Sequence, residues 1–359
     1  MVRAVGETRF AVIGTGSMAA SMMSTFGQAG VRVIAVASRD LQRSRRFASA
    51  FGIPNASNDL GSVLRSAEVD AVYIANTAAE HATTAIAALE AGKAVLCEKP
   101  LALSSEEAAR VAEVARRMGK LCMEGIWTHF LPAYRRFFEL AQSETCGQPT
   151  HLFAAFGYPV REDVLPRLFS PAAGGVLLDR GIYLVALALK VFGPVERINA
   201  RLDVTAHGVD QQASVQLSHS GGGQSQLSAS YTSLMSNTAA LACSGGVIRI
   251  EEPLIGSETV SMQLMAAKRT SPQDPTLPLG PRQRLVRTLR KSPLLRRIKR
   301  AVPNARREYL SYGRDQYLPQ LEHFLDLLKA GARESGIVPL ELSLAIQRVI
   351  GQVHPNQHL

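Results

Sequence analysis

The sequence predicts an α/β protein with a doubly wound parallel sheet, followed by a second α/β domain built on an antiparallel sheet. Up to about residue 124, short apolar strands alternate with helices, which is typical of a parallel sheet covered on both faces. A glycine-rich turn joins the first strand to the first helix. Beyond residue 124, consecutive strands follow one another with short turns, which predicts antiparallel pairing. We expect a first domain over residues 1–125 and a second over residues 126–359.

Composition sets limits on the class of protein. The chain has 359 residues, of which 46% are hydrophobic, so it can form two cores. It lacks an apolar run near the roughly 20 residues of a membrane span, and its first residues lead into a strand without an apolar signal segment. We therefore expect a cytoplasmic protein. The four cysteines are far apart and form no C-x-x-C pair, which argues against a metal site or a redox dithiol.

The first strand, residues 10–13, leads into a G-x-G-x-x-A motif and then a helix, which is the context in which this motif binds a dinucleotide. Gly14 permits the tight turn, Gly16 lets a pyrophosphate approach the backbone, and Ala19 keeps the helix close to the sheet. Free N–H groups at the helix start bind the phosphates. The predicted cofactor-binding residues of this motif are Gly14, Thr15, Gly16, Ser17, Met18 and Ala19.

The second strand, Arg32–Ala37, ends where a domain specific for NAD carries an acidic residue that binds the ribose. Here the chain has Ser38 and Arg39. A hydroxyl and a guanidinium can bind the additional phosphate of NADP, which a carboxylate would repel. NADP is therefore favoured. NAD is the alternative if Asp40 faces the ribose, and Arg39 would then be a surface residue.

The next strands add further candidates at their carboxyl ends. Residues 71–75 form a buried strand that ends at Asn76, and His81 begins the helix predicted over residues 81–91. His81 is a candidate for contact with the nicotinamide end of the cofactor, although a surface residue at a helix start is an equal alternative. Both Asn76 and His81 are predicted to lie beside the cofactor.

Strand 95–97 runs directly into Glu98, Lys99 and Pro100. Open α/β sheets bind their ligands at the carboxyl ends of the strands, so this position makes Lys99 a candidate catalytic residue with Glu98 beside it. A surface lysine followed by a turn proline is the simpler interpretation of these residues taken alone.

The second half of the chain contains seven strand-like runs separated by Gly, Ser, Asn or Pro, with one helix after the first of them and two more at the end. The runs lie near residues 152–156, 195–202, 214–217, 226–231, 239–243, 247–250 and 259–264, and the helices near 181–191, 316–330 and 340–353.

Together these motifs resemble the Gfo/Idh/MocA oxidoreductase family. The matching stretches are the glycine motif, the loop 76–81, Ala-Gly-Lys-Ala-Val-Leu-Cys-Glu-Lys-Pro at 91–100, and Gly-Gly-Val-Leu-Leu-Asp-Arg-Gly-Ile-Tyr at 174–183. The resemblance covers residues 8–265 and the terminal helices. It implies an N-terminal Rossmann domain, an open and mainly antiparallel C-terminal sheet, a nicotinamide cofactor, a polyol or sugar substrate, and dimers or tetramers formed through the exposed sheet face.

Asp179 and Tyr183 occupy the positions of the family's active-site helix. A tyrosine at this place resembles the branch that contains dimeric dihydrodiol dehydrogenases and NADP-dependent aldose 1-dehydrogenases, as does the stretch 123–133. That branch more often has arginine where this chain has His129, which leaves the substrate open.

The chemistry of these side chains suits hydride transfer at a carbinol. Oxidation requires a base for the hydroxyl proton, and reduction requires the same group as an acid. We expect Tyr183 to be that group, with Lys99 lowering its pKa and Asp179 holding Lys99 or a substrate hydroxyl. A core tyrosine and a carboxylate favoured at a helix start are the structural alternatives. Trp127 is expected either to form a wall of the substrate pocket or to pack in the core.

The net charge of +10 comes from one segment, because residues 282–307 carry eleven basic side chains and no acid. Its leucines predict two short basic amphipathic helices. A surface element packed on protein is favoured over contact with an anionic membrane, and nucleic acid is disfavoured because no recognition motif accompanies the charge.

The function predicted from the sequence is NADP-dependent hydride transfer between nicotinamide and a carbinol or carbonyl of a sugar, cyclitol or cyclic diol. The partners expected are a small polyol or sugar and further copies of the chain. The alternative is a catalytically idle NADP-binding protein that engages a partner or a membrane through its basic segment.

Overall fold

The computed structural model describes residues 8–170, 175–265 and 305–354. They form two sheets, each with helices packed against it. Most of the predicted basic segment, residues 282–304, lies outside the described residues, as does Gly174. Arg306 and Arg307, at the end of that segment, belong to a β-strand.

The first sheet has six parallel strands in the order β3-β2-β1-β4-β5-β6, which confirms the predicted doubly wound sheet. Its strands are β1 (Arg9–Ile13), β2 (Arg32–Ala37), β3 (Asn55–Ser57), β4 (Ala71–Ile74), β5 (Ala94–Cys97) and β6 (Cys122–Glu124). Its helices are α1 (Ser17–Gln28), α2 (Leu41–Phe51), α3 (Leu60–Arg65), α4 (Ala78–Glu90) and α5 (Ser105–Met118). The strand order reverses between β1 and β4, so the ligand crevice of such a sheet opens there.

Burial explains the apolar character of the central strands. Every residue of β4 and β5 is buried, because helices cover both faces of the sheet. At the end of β1, Gly14 has a φ of +114°, and a Cβ on it would lie 2.3 Å from the carbonyl oxygen of Ala75. Only glycine fits this turn, as the motif predicts.

The second sheet has eight strands in the order β14-β13-β12-β11-β7-β10-β9-β8. Its neighbours pair antiparallel except β7 with β10, which confirms a mainly antiparallel sheet. The strands are β7 (Pro149–Gly157), β8 (Val195–Val204), β9 (Asp210–His219), β10 (Gln224–Ser230), β11 (Ala239–Cys243), β12 (Gly246–Ile250), β13 (Thr259–Leu264) and β14 (Arg306–Tyr309).

Helices α6 (Pro132–Gln142) and α7 (Ile182–Phe192) cover one face of this sheet, and a π-helical turn, Leu177–Gly181, precedes α7. The chain closes with α8 (Leu318–Lys329) and α9 (Leu340–Val353). Helix α9 packs on both α5 and α7, so it joins the two halves of the molecule. Within the described residues, no helix has the length and apolar character that crossing a bilayer requires.

His129 lies in the core between the sheets and α6. Its side chain is fully buried and packs on the rings of Tyr134 and Phe138, with centroids 6.2 and 5.1 Å away. Burial, assisted by the charge of Lys190, lowers the pKa of His129 to about 3. This histidine is therefore a neutral packing residue, although its position suggested a link to the substrate.

The low pKa of His129 predicts a specific loss of stability in acid. Because the unfolded chain binds the proton more tightly, stability falls as the pH drops through the unfolded pKa near 6.5, by about 2 kcal/mol between pH 7 and pH 5. His129→Phe should remove most of that loss in urea unfolding measured at both pH values. The control is His151→Phe on the exposed sheet face, which should keep the wild-type pH dependence. An unchanged slope for His129→Phe would contradict the assignment.

Candidate active site

The predicted catalytic lysine lies at the carboxyl end of β5, in the crevice between the two sheets. The Lys99 ammonium donates to the carboxylate oxygen Oδ1 of Asp179 at 2.8 Å and to the backbone oxygen of the same residue at 2.7 Å. The Lys99–Pro100 peptide bond is cis. Only 15% of the lysine side chain is exposed, so this ion pair is largely shielded from water. The simpler interpretation of Lys99 as a surface residue is wrong.

Tyr183 completes the group of residues predicted for catalysis. It lies one helical turn after Asp179, and the Lys99 Nζ atom is 5.1 Å from the centroid of its ring. The indole N–H of Trp127 donates to the Tyr183 hydroxyl at 3.0 Å. The structure therefore brings Lys99 from one sheet together with Asp179 and Tyr183 from the helix on the other.

The π-helical turn that carries Asp179 is held by Arg180, which is fully buried. The Arg180 guanidinium donates to the backbone oxygens of Tyr158, at 2.8 Å, and Ser230. It also lies over the rings of Tyr158 and Tyr231, at 3.7 and 4.7 Å. Such π-turns occur frequently at functional sites. Arg180 lies in the family motif at 174–183, but the sequence alone did not indicate its role.

The pKa of Tyr183 differs from the expectation. Burial raises it well above the value of a free phenol, and the negative charges of Glu98 and Asp179 add to the effect. The prediction that Lys99 lowers this pKa is wrong, because burial and the charges of Glu98 and Asp179 dominate. Although burial opposes it, the Lys99 charge holds the pKa of Asp179 below its usual value. Tyr183 is therefore a protonated phenol at neutral pH.

Trp127 and Tyr317 form an aromatic wall beside the candidate catalytic tyrosine. Their ring centroids are 5.0 Å apart in an edge contact, and Trp127 is only 4% exposed. Trp127 therefore packs in the core and also contacts Tyr183. Burial raises the pKa of Tyr317. Tyr317 was missed from the sequence because it follows the segment with the weakest pattern.

The glycine motif has the geometry of a pyrophosphate site. Helix α1 starts without a side chain that caps its free N–H groups. Gly16 is exposed, and no atom lies within 4 Å of a Cβ added there. Ser17 is also exposed, Thr15 and Met18 are partly buried, and Ala19 is buried against the sheet. These residues fit a dinucleotide, whose phosphates would meet the open helix start.

The residues that could distinguish NADP from NAD lie at the end of β2, and each already has a contact. The Ser38 hydroxyl contacts the backbone oxygen of Asp40 at 2.9 Å and the Ser44 hydroxyl at 2.8 Å. The Asp40 carboxylate caps α2 by accepting from two backbone N–H groups, at 2.8 and 3.2 Å. Arg39 is 79% exposed and pairs with Glu80 at 3.1 Å.

The remaining predicted cofactor residues surround the Lys99–Pro100 turn. His81 contacts the backbone oxygen of Pro100 through Nδ1 at 2.7 Å, while its buried Nε2 has no partner among the described residues. Burial lowers the pKa of His81, so the ring is neutral. It lies in the first turn of α4 and is buried, so the alternative of a surface residue is wrong. Asn76 donates to the Thr84 hydroxyl at 3.0 Å.

Glu98 is buried directly before the lysine. It accepts a 2.6 Å hydrogen bond from the hydroxyl of Tyr73, and burial raises its pKa. Its carboxyl thus faces the interior beneath the turn.

Other chemistry is not concentrated elsewhere in the described part of the chain. No group of three or more His, Cys, Asp or Glu side chains in it could hold a metal ion. A cleft of about 420 Å³ lies between the end of α7 and α9, but it contains none of the predicted site residues. The chemistry is therefore concentrated around Lys99.

Comparison with family models places both halves of the chain. Residues 8–126 match the model described as "Oxidoreductase family, NAD-binding Rossmann fold", and residues 134–249 match the "GFO/IDH/MocA C-terminal domain". The prediction of a nicotinamide dinucleotide cofactor is thereby confirmed.

Characterised relatives include trans-1,2-dihydrobenzene-1,2-diol dehydrogenases. The protein from Sus scrofa is 36% identical over 225 residues, which cover 62% of this chain and 67% of the relative. The protein from Oryctolagus cuniculus is 30% identical over 324 residues, which cover 90% and 89% of the two chains.

Solved structures share the whole fold at lower identity. A 3-ketoreductase from Actinomadura kijaniata in complex with NADP and TDP-benzene superposes with a TM-score of 0.77 at 23% identity, covering 97% of each chain. An aldose-aldose oxidoreductase from Caulobacter crescentus complexed with glycerol gives a TM-score of 0.79 at 20% identity over the same share. With both domain models matched in order, the chain belongs to the Gfo/Idh/MocA family of oxidoreductases.

Proposed function

We propose that the protein is an NADP-dependent dehydrogenase that interconverts a carbinol and a carbonyl on a sugar, cyclitol or cyclic diol. The observation that supports this most strongly is the shielded ion pair of Lys99 and Asp179 beside the Tyr183 phenol. An ion pair that is largely shielded from water is costly to maintain and contributes little net stability, so its position at the ligand crevice favours a functional role.

Each polar group of the site has a distinct role in the proposed reaction. Held by the glycine motif, an NADP molecule would supply or accept the hydride. In the direction of reduction, the Tyr183 phenol donates its proton to the oxygen of the substrate carbonyl. The Lys99 ammonium stabilises negative charge on that oxygen, and Asp179 fixes the ammonium in place. The Trp127 N–H orients the phenol by donating to its oxygen.

The raised pKa of Tyr183 affects the two directions differently. A protonated phenol is ready to act as the acid in reduction at neutral pH, whereas oxidation first requires the phenol to lose its proton. At neutral pH the phenol therefore already carries the proton that reduction requires, and the rate of oxidation should rise in a more alkaline medium.

The end of β2 supports NADP over NAD. A carboxylate that binds the ribose must point towards it, but the Asp40 carboxylate is occupied at the start of α2. Ser38 and the exposed Arg39 can bind a 2′-phosphate if they exchange their present contacts with Ser44, Asp40 and Glu80 for it. The NADP held by the structurally similar ketoreductase is consistent with this assignment.

The aromatic wall supports a cyclic substrate. Tyr317 packs on Trp127, and Trp127 contacts Tyr183, so aromatic rings line the side of the site next to the polar pair, which suits a ring that carries hydroxyl groups. The relatives named as diol dehydrogenases and the sugar-related structures agree with this class. We further propose a cytoplasmic protein that forms homo-oligomers. The idle cofactor-binding protein stays the alternative.

The choice of cofactor can be tested at Ser38. Ser38→Asp places a carboxylate next to the 2′-phosphate, so the ratio of kcat/KM for NADP over NAD should fall by at least about tenfold. Arg39→Ala is the companion variant and should weaken NADP while leaving NAD nearly unchanged. A wild-type protein that prefers NAD would contradict the assignment.

The role of Tyr183 as the proton donor can be tested by Tyr183→Phe. Turnover should fall by roughly 10² to 10⁴, the usual contribution of a general acid, while the Kd for cofactor stays within about twofold. Trp127→Phe is the control, because it removes only the N–H that contacts the phenol. Its loss of turnover should be much smaller. Tyr183→Phe with wild-type turnover would show that the phenol is only a packing residue.

The role of Lys99 can be tested by Lys99→Met, which should lower turnover on the order of 10² to 10³ because the oxyanion loses its cation. Lys99→Arg should not restore it, since the planar guanidinium does not reproduce the compact ammonium. Lys99→Met leaves Asp179 buried without its main cation, so Lys99→Met with Asp179→Asn is the matched control for stability. A Lys99→Met protein that reduces substrate at the wild-type rate would favour the idle cofactor-binding alternative.

A further inference from the structure

We propose that Asp315 is a positioning residue that connects the cofactor-binding helix α1 to the aromatic wall of the active site. The Asp315 carboxylate lies between Thr25 and Gln28 on α1 and the backbone of Tyr317. This inference rests on the proposed function for its catalytic readout, but its main test needs no substrate.

The contacts on the cofactor side are specific. The Thr25 hydroxyl donates to Oδ2 of Asp315 at 2.7 Å, and the Gln28 side-chain amide donates to the same oxygen at 3.3 Å. Thr25 is fully buried, so its hydroxyl has little freedom to bond elsewhere. Both residues belong to the helix whose first turn meets the cofactor phosphates.

The contacts on the substrate side use the other carboxylate oxygen. Oδ1 of Asp315 accepts from the backbone N–H of Tyr317 at 2.8 Å, where the chain turns into α8. The ring of Tyr317 then packs edge-on against Trp127 at 5.0 Å. Trp127 in turn donates to the Tyr183 hydroxyl. The Asp315 carboxylate therefore connects α1 to the aromatic wall, and that wall contacts Tyr183.

The two ends of this path belong to parts of the chain that are about 290 residues apart, so local structure alone does not fix their separation. A charged acceptor with good geometry at both oxygens is stronger than a neutral one. Loss of the carboxylate would leave the Thr25 hydroxyl buried without its acceptor and free the turn that carries Tyr317. Small displacements of groups that position reactants cost catalysis heavily.

The experiment uses Trp127, the only tryptophan of the chain, as the reporter. We would measure acrylamide quenching of its fluorescence in the full-length protein while titrating 2′,5′-ADP and 5′-AMP, the adenosine halves of NADP and NAD. Neither probe carries nicotinamide, so any change at Trp127 must be transmitted through the protein. The wild-type quenching constant should change on binding of at least one probe.

Asp315→Ala and Thr25→Val should each abolish that change while the Kd of the probe stays within about twofold. Thr25→Ser keeps the hydroxyl and should retain the wild-type response. Arg314→Ala alters an exposed neighbour on the same segment and is the second control. A wild-type response in Asp315→Ala, or no response to either probe in the wild type, would overturn the proposal.

Turnover gives an independent reading. Asp315→Ala and Thr25→Val should each lower kcat by about tenfold, and the double variant should fall no further because both remove the same connection. Additive losses would count against a shared path. A protein that shows the fluorescence response but turns over no polyol, sugar or diol would retain the connection and refute the proposed function instead.

Discussion

The ion pair between Lys99 and Asp179 is the interaction on which the site depends, because it joins the end of β5 in the first sheet to the π-helical turn that precedes α7. Bringing an ammonium and a carboxylate out of water costs several kcal/mol per ion, and mutual attraction offsets this only when the geometry is good. The second acceptor, the backbone oxygen of Asp179, completes that geometry. The π-helical turn carries Asp179, and the buried Arg180 holds that turn beside the pair.

The shielding of the site from water also determines whether the Tyr183 phenol carries a proton. In water, a nearby ammonium would make Tyr183 more acidic, but here the carboxylate compensates the cation and the low polarity around the phenol favours its neutral form. The charge of Glu98 also raises the pKa of Tyr183. In the proposed reaction, Tyr183 would therefore act as an acid in reduction, and oxidation would have to remove a proton that this environment retains. This follows from the arrangement of charges and not from the identity of the tyrosine alone.

The sequence predicted the fold well where one physical pattern dominated. We could predict the buried strands and the positive φ of Gly14, because a parallel sheet with a dinucleotide turn requires them. Lys99 was placed at a strand end because the apolar strand 95–97 runs directly into it. The edge strands β3 and β14 were missed, since their short sequences, Asn-Ala-Ser and Arg-Arg-Glu-Tyr, carry no apolar pattern. Lys99, Asp179 and Tyr183 were identified as a group, but Tyr317 and Asp315 were not, because their roles depend on contacts with Trp127 and Thr25, which are far away in the sequence. The sign of the Tyr183 pKa shift depends on burial and pairing, which residue identity does not encode.

Arg180 has a consequence for the charge balance of the site. Its guanidinium Nε lies 3.9 Å from Oδ2 of Asp179, whereas the Lys99 ammonium contacts Oδ1. The carboxylate therefore has a cation near each of its two oxygens. Removal of the Lys99 ammonium would not leave Asp179 as an isolated anion, since the guanidinium would still offset part of its charge.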